Sequence, residues 1–384
     1  SAEVALAALP VTSNGKLDRK ALPAPEFTAS GRAAQTPTEQ LLARLFAQIL
    51  HLDAPAPAEA DFFALGGDSL SAVRLAQALE AETGRDPGLG TIFENPILAA
   101  LADALETRAP QDDGLGPLIL LADGDAEAAP LFLIHPAGGL AWGYRGLARR
   151  IAPARRVYGL QHPGLDSAAL MPDSLSALAQ SYAQRIDDLV PQGPVHLAGW
   201  SVGGILAQDI AVTLAGMGRA PGLVAMLDSY PADAWRNEPE PDPVAALRAL
   251  LAIAGYDPEG HPELDSRAKV VEFLRAGDSA LGALPERVLD GVVRTVTGTN
   301  RLIRSHHHRP HDGTITHFRA ANDHKDRDLS PGMWSRYAGA VEVIDLPFLH
   351  AQMTSPAAAA LIAPELSRRM APGFGALISP SRGR

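Results

Sequence analysis

The sequence predicts two domains of different class, a small all-α bundle followed by a larger α/β domain. Three observations carry this. Residues 36–106 place apolar side chains at helical spacing in several short runs. From about 118 to 370, apolar strand-like runs alternate with helical patterns, the rhythm of an α/β domain. Between them, Ala109-Pro110-Gln111-Asp112-Asp113-Gly114-Leu115-Gly116-Pro117 collects turn and breaker residues with little to bury, so 108–117 reads as a linker. A chain of 384 residues accommodates two or three domains of about 150 residues each.

Composition removes several function classes. Hydrophobic residues make up 46% and charged residues 20%, a globular rather than disordered balance. No apolar run reaches the ~20 residues of a membrane span, so a membrane protein is not expected. The chain opens on Ser1 with no basic-then-apolar stretch, which predicts no signal peptide, a cytoplasmic setting and a piece of a longer protein. With no cysteine, disulfides, thiolate metal sites and a cysteine nucleophile are excluded. A net charge of −11 argues against nucleic acid as partner.

Residues 1–35 show little periodicity. Leu9-Pro10-Val11-Thr12-Ser13-Asn14-Gly15-Lys16-Leu17-Asp18-Arg19 reads by itself as a turn carrying a basic patch, because Asn-Gly is a turn dipeptide. In the bundle, Thr36-Pro37-Thr38-Glu39 supplies an N-cap hydroxyl, a proline at the first helical position and a glutamate three residues after the cap. Leu41, Leu42, Leu45, Phe46, Ile49 and Leu50 follow on one helix face. A second helix is expected from about Ser69 to Glu82, and a third is capped by Asn95-Pro96 and carries Ile97, Leu98, Leu101 and Leu105. Three or four short helices make a small bundle. Residues 36–106 hold eleven acids and three arginines, so this segment carries most of the net charge and suits docking on basic surfaces.

Asp61-Phe62-Phe63-Ala64-Leu65-Gly66-Gly67-Asp68-Ser69-Leu70 joins the first two helices. The glycines permit a tight turn, and Ser69 then opens a helix whose N-terminal amides stabilise an attached phosphate. Read without the flanking residues, Ser69 or Asp68 is only a helix cap.

In the α/β segment, the strand-like Val195-His196-Leu197-Ala198 runs into Gly199-Trp200-Ser201-Val202-Gly203-Gly204, and a helical pattern follows. This is G-x-S-x-G between strand and helix, the setting of a nucleophilic serine on a strained turn. Such a serine needs a base and an orienting acid. Gly222-Leu223-Val224-Ala225-Met226-Leu227-Asp228 is an apolar strand ending in a carboxylate, and His350 follows the strand and turn of Val341 to Leu349. The triad is therefore Ser201, Asp228 and His350. Asp323, after the strand Thr314 to Arg319, is the rival acid or else a solvated residue of Asn322-Asp323-His324-Lys325-Asp326. Two backbone donors are needed for an oxyanion, and Val202 and Ala137 are the candidates. Ala137 sits where the strand Pro130 to Ile134 enters His135-Pro136-Ala137-Gly138-Gly139, and His135 reads as structural. Residues about 235–309 interrupt the strand rhythm with helical patterns. His306-His307-His308 with His311 reads as a solvated basic loop; no cysteine or carboxylate spacing there fits a metal set, so no metal site is expected.

Three stretches resemble known families. Residues 61–70 closely resemble the core motif of peptidyl carrier proteins, which implies 4′-phosphopantetheine on Ser69, a carrier domain over 36–107 and a phosphopantetheinyl transferase as partner. Residues 9–19 resemble the last motif of nonribosomal peptide synthetase adenylation domains. This implies that 1–26 is the C-terminal remnant of such a domain, with Lys16 at the position of its adenylate-contacting lysine. Residues 118–370 resemble the type I thioesterase domains that end these synthetases. That implies an α/β-hydrolase fold, a helical lid at about 235–309, a loose tail at 371–384, upstream condensation and adenylation domains and a peptidyl substrate. Leu140-Ala141-Trp142-Gly143-Tyr144 is most similar to the siderophore type. The implied function is transfer of an acyl or peptidyl chain from the carrier to Ser201, then release by hydrolysis or cyclisation. Two alternatives remain at this point: a carrier and docking module with an inactive or corrective hydrolase, and a free-standing serine esterase with Ser69 unmodified.

Overall fold

The computed structural model describes residues 31–67, 69–84, 87–107, 115–165, 171–236, 250, 251, 256, 260–276, 286–324 and 329–371, with the backbone alone at 69, 70, 89, 94, 286 and 287. The readings of 1–26, Lys16, Asp68, most of 108–117 and the tail from 372 fall outside these residues. The chain divides into two compact units, Ser1–Asp113 and Gly114–Arg384.

The first unit is helical. Helix α1 (Pro37–Leu50) begins at Thr36, whose hydroxyl accepts from the Glu39 N–H at 3.1 Å while the Glu39 carboxylate accepts from the Thr36 N–H at 3.3 Å. This reciprocal box satisfies two donors that a helix start otherwise leaves orphaned. The Arg32 guanidinium, with the Gln35 and Thr36 N–H groups, holds the Glu39 carboxyl down at about 2. Helices α2 (Ser69–Thr83), α3 (Leu89–Glu94) and α4 (Leu98–Thr107) complete the described bundle. Their shared core includes Leu42, Phe46, Phe62, Leu75, Leu79, Ile92 and Leu101, all essentially removed from solvent. Burying a side chain of this size stabilises by about 1.5–3 kcal/mol.

The turn before α2 is built around its aromatic pair. The Asp61 carboxylate accepts from the Phe63 and Ala64 N–H groups at 2.9 and 3.0 Å, closing a local turn. Phe62 meets Phe46 edge-on at 4.8 Å between ring centroids, and Phe63 stacks on Phe93 at 5.5 Å. Gly66 has a left-handed backbone (φ 103°). A Cβ on Gly67 would lie 2.6 Å from the Phe62 carbonyl oxygen. Only glycine lets the chain press this closely on the core before it enters α2 at Ser69.

The second unit is a sheet covered by helices. Its strands are β1 (Leu118–Ala122), β2 (Leu131–Ile134), β3 (Val157–Leu160), β4 (His196–Trp200), β5 (Leu223–Leu227), β6 (His311–Ala320) and β7 (Ala338–Leu346). Their order is β1-β3-β2-β4-β5-β6-β7, with β1 antiparallel to β3 and every other pairing parallel. Every residue of β2, β4 and β5 is buried, as expected for parallel strands with both faces covered. The covering helices are α5 (Arg145–Ile151), α6 (Leu175–Leu189), α7 (Val202–Gly216) and α10 (Pro356–Arg369), in which α6 packs on α7 and α5 on α10. The connection after β2 runs to β3 on one side, and that after β4 runs to β5 on the other. Such a reversal leaves a crevice at the carboxyl ends of β2 and β4, where ligands bind in open α/β sheets.

Between β5 and β6 the described segment includes α8 (Arg267–Ala276) and α9 (Glu286–Ser305). Helix α9 lies close against the loops at the carboxyl ends of β2 and β3: a Cβ on Gly139 would meet Thr295 at 2.8 Å, and one on Gly291 would meet the Leu165 carbonyl at 2.4 Å.

The histidine run after α9 corrects an expectation. Instead of forming a solvated loop, His306 and His311 are buried and His308 is half-buried; only His307 is exposed. The cause lies in α7, where Gln208 and Asp209 are fully buried polar residues that require partners. His308 Nδ1 donates to the Gln208 amide oxygen at 3.0 Å, and its Nε2 accepts from the Ala232 N–H at 3.0 Å. Arg309 pairs with Asp209 at 2.5 Å.

Buried histidines make this unit acid-sensitive. Burial pushes His135 and His196 down to about 4, and His162 and His308 down to about 3. Their folded values lie below the ordinary 6.5, so the unfolded chain takes up protons first as pH falls. Each histidine then removes up to about 1.4 kcal/mol of stability per pH unit, from 6.5 down to its folded value. All four tryptophans lie in this unit, so their fluorescence reports on it alone. The urea midpoint followed this way is expected to drop between pH 7.5 and 5, by several kcal/mol in stability; equal midpoints would refute the linkage.

Candidate active site

The turn from β4 into α7 carries Ser201 at φ 56° and ψ −125°, a conformation that costs a non-glycine residue about 1–3 kcal/mol. The surrounding glycines explain why the chain tolerates it. A Cβ on Gly199 would lie 2.2 Å from the Gly203 carbonyl group, and one on Gly203 would lie 2.3 Å from the Ile134 oxygen. One on Gly204 would lie 2.4 Å from the Ser229 Cβ. The strand end, the first turn of α7, the end of β2 and the residue after Asp228 thus converge at distances that exclude a methyl group. The Ser201 N–H donates to the Leu227 carbonyl at 3.1 Å, which ties the turn to β5.

Val202 is the first residue of α7, and the first N–H groups of a helix have no partner inside it. Ala137 lies in the turn after β2, closed by the Gly139 N–H on the Pro136 carbonyl at 2.9 Å. The buried Tyr144 hydroxyl bridges the two strand ends: it donates to the Ile134 carbonyl at 2.7 Å and accepts from the Trp200 N–H at 2.7 Å. One phenol therefore sets the spacing between the two loops that carry Ala137 and Val202. His135 is completely buried, with Nδ1 2.7 Å from the Pro136 oxygen and Nε2 2.8 Å from the Tyr182 hydroxyl, so both ring nitrogens are engaged in the fold.

Asp228 follows β5 with a left-handed backbone (φ 47°) and a fully buried side chain. Its Oδ1 accepts from the Ala320 N–H and the Tyr230 hydroxyl, both at 3.0 Å. Its Oδ2 lies 2.7 Å from His350 Nδ1 and 2.7 Å from His324 Nε2. Burial opposes ionisation of this carboxyl. The hydrogen bonds from His324 and His350 outweigh it and hold the group far below the usual carboxylate range. An ionised carboxylate only accepts, so both imidazoles donate to it. His350 is then protonated on Nδ1, and its Nε2 lone pair is free to take a proton. The His350 ring packs on Trp200, the neighbour of Ser201, at 5.2 Å between centroids.

Asp323 takes neither expected part. It is half-buried; its Oδ2 accepts the His350 backbone N–H at 2.6 Å and its Oδ1 the His324 N–H at 2.8 Å. It fixes the backbone that carries the histidine, while Asp228 meets the imidazole. The residues not anticipated from sequence are Tyr144, Tyr230 and His324. For His324 the available signal was its place one residue after a carboxylate at the carboxyl end of a sheet strand. Asp228, His324 and His350 also bring ligand-type atoms within 4.8 Å of one another. Their 2.7 Å contacts are hydrogen-bond lengths, shorter than the ~3.3 Å between ligands about a tetrahedral zinc.

In the first unit, Ser69 opens α2 directly after the turn at Gly66 and Gly67.

The parallel sheet, the strained serine turn on β4 and the carboxylate–imidazole pair beyond β5 define an α/β hydrolase. The chain belongs to the thioesterase-domain family, which it matches over residues 129–354, and a phosphopantetheine attachment site precedes that domain at residues 40–105. It is 38% identical to the dimodular nonribosomal peptide synthase of Bacillus subtilis (strain 168), over 93% of this chain and 15% of that protein. It is 31% identical to enterobactin synthase component F of Escherichia coli O157:H7, over 93% of this chain and 26% of that protein. The chain thus spans about a quarter or less of the length of these relatives. Among solved structures, a holo four-domain nonribosomal peptide synthetase bound to AMP and glycine aligns with 96% of this chain and 28% of its own, at 26% identity and a TM-score of 0.59. The Vlm2 thioesterase domain bound with a dodecadepsipeptide shares the fold, at 23% identity and a TM-score of 0.52 over 66% of this chain and 97% of its own. Among the described residues, no helix is long and apolar enough to cross a membrane.

Proposed function

We propose that this chain is the terminal carrier and release section of a nonribosomal peptide synthetase. The observation that carries the reading is the presence, in one chain, of a phosphopantetheine attachment site and a thioesterase domain whose buried aspartate meets a late histidine at 2.7 Å. Ser69 is the modified residue, and a phosphopantetheinyl transferase acts on it. When attached, the group supplies the thiol that a cysteine-free chain lacks. Upstream condensation and adenylation domains deliver a peptidyl chain, of siderophore type by the enterobactin relative. The setting is the cytoplasm, where coenzyme A is available.

The chemistry of the thioesterase follows from its own residues. His350 Nε2 takes the Ser201 proton, with Asp228 holding the ring by Nδ1 and stabilising the imidazolium. Ser201 Oγ attacks the thioester carbonyl. The Val202 and Ala137 N–H groups receive the oxyanion, and the proton on His350 passes to the leaving thiolate. The ester on Ser201 is then opened by water or by a hydroxyl or amine of the peptide, again deprotonated by His350, which returns the proton to the departing Ser201 Oγ. Tethering both partners in one chain makes the transfer effectively intramolecular, at a local concentration of roughly millimolar.

The test is the mass of the intact chain after incubation with coenzyme A and a transferase. One phosphopantetheine mass is expected on the Ser69 peptide and none on Ser69→Ala. An unchanged wild-type mass would remove the carrier role and favour a free-standing esterase.

A further inference from the structure

We infer that His324 is a positioning residue for the acyl-transfer site, acting as the second imidazole donor on the Asp228 carboxylate. The inference rests on the reading of Ser201, His350 and Asp228 as nucleophile, base and acid.

The geometry assigns four donors to one carboxylate. Oδ1 is held by the Ala320 N–H and the Tyr230 hydroxyl at 3.0 Å each, and Oδ2 by His324 and His350 at 2.7 Å each. Three of these four bonds do not involve the base. The carboxylate plane is therefore fixed independently of His350, which must become charged twice in every turnover. With Oδ1 alone secured, the group still pivots about its remaining bond; the His324 Nε2–H removes that freedom. A base displaced by about 1 Å costs on the order of a hundredfold in rate, so holding its partner still matters directly.

His324 is itself closely held. Its backbone is left-handed (φ 60°), its N–H is bonded to Asp323 at 2.8 Å, and its ring meets Tyr230 and His350 edge-on at 5.3 and 5.6 Å. Asp323 also binds the His350 N–H. The result is a closed circuit from Asp228 through His324 and Asp323 to the His350 backbone, and through the His350 ring back to Asp228. Strained backbone at both Asp228 and His324 persists only where the surroundings over-determine it.

Two substitutions separate positioning from packing. Asparagine tolerates a left-handed backbone but is too short to reach Asp228. Glutamine places its amide N–H near the position of the imidazole Nε2–H. The full chain is assayed with butyryl-N-acetylcysteamine, beside Ser201→Ala. His324→Asn is expected to lower kcat about tenfold with KM unchanged, and His324→Gln to recover to within about threefold of wild type. The low-field proton resonance of the His350 Nδ1–H should move upfield in the Asn variant and return in the Gln variant, while the fluorescence melts of the two coincide. Wild-type kcat in His324→Asn, or a Gln variant as slow as Asn with an unmoved resonance, would overturn the inference while Ser201 dependence stands. Turnover that survives Ser201→Ala would remove the underlying reading, and the inference with it.

Discussion

Replacing Ser201 with Ala is expected to reduce product release by the full parent synthetase at least about a thousandfold, with the acyl chain accumulating on the carrier. The alanine fits the turn, because Ser201 already carries a Cβ there and the substitution removes only its hydroxyl. Loss of release would therefore report chemistry rather than folding. The mass of the wild-type product completes the experiment. A product one water lighter than the linear acid marks internal attack on the Ser201 ester, a multiple of the monomer adds oligomerisation, and the linear acid marks attack by water. Release that ignores Ser201 would refute the acyl-enzyme route.

Asp228→Asn should lower kcat by about a thousand- to ten-thousandfold, because an amide in place of the carboxylate holds His350 in the wrong tautomer and leaves its imidazolium unsupported. Asp323→Asn supplies the contrast. The two Asp323 oxygens each accept one backbone N–H, Oδ2 from His350 at 2.6 Å and Oδ1 from His324 at 2.8 Å, so an amide keeps one acceptor and loses the other, while the Asp228–His350 contact stays in place. The loss of activity in this variant should stay within about tenfold. The comparison is made on one thioester at saturating concentration. Equal losses in the two variants would show that the acid's work is shared and that the assignment to Asp228 is wrong.

What was legible in the sequence followed how local its cause is. The turn before α2 could be read because Asp61, Phe62, Gly66 and Gly67 act on residues only a few positions away. The serine turn was readable for the same reason: Gly199, Gly203 and Gly204 mark close approaches whatever lies opposite. The strands ending in Asp228 and preceding His350 were visible as apolar runs. His324 was not legible. Its imidazole reaches a carboxylate 96 positions earlier, and only through a left-handed backbone that the sequence does not announce in a histidine. The burial of His306, His308 and His311 escaped for a related reason. It answers to Gln208 and Asp209, two polar residues inside an otherwise apolar helix, which is a sequence signal when that helix is read for what its buried side chains must bond.

The Tyr144 hydroxyl has a consequence for variation and for engineering. Phenylalanine would leave a buried carbonyl and a buried N–H without their partner, and a shorter alcohol would not span the gap between the ends of β2 and β4. Within Leu140–Tyr144 the tyrosine therefore has almost no freedom, while Gly143, directly before it, has open space for a side chain. A library that randomised the loop uniformly would spend most of its members on broken catalysts. One that spared the tyrosine and diversified Gly143 would keep the scaffold intact.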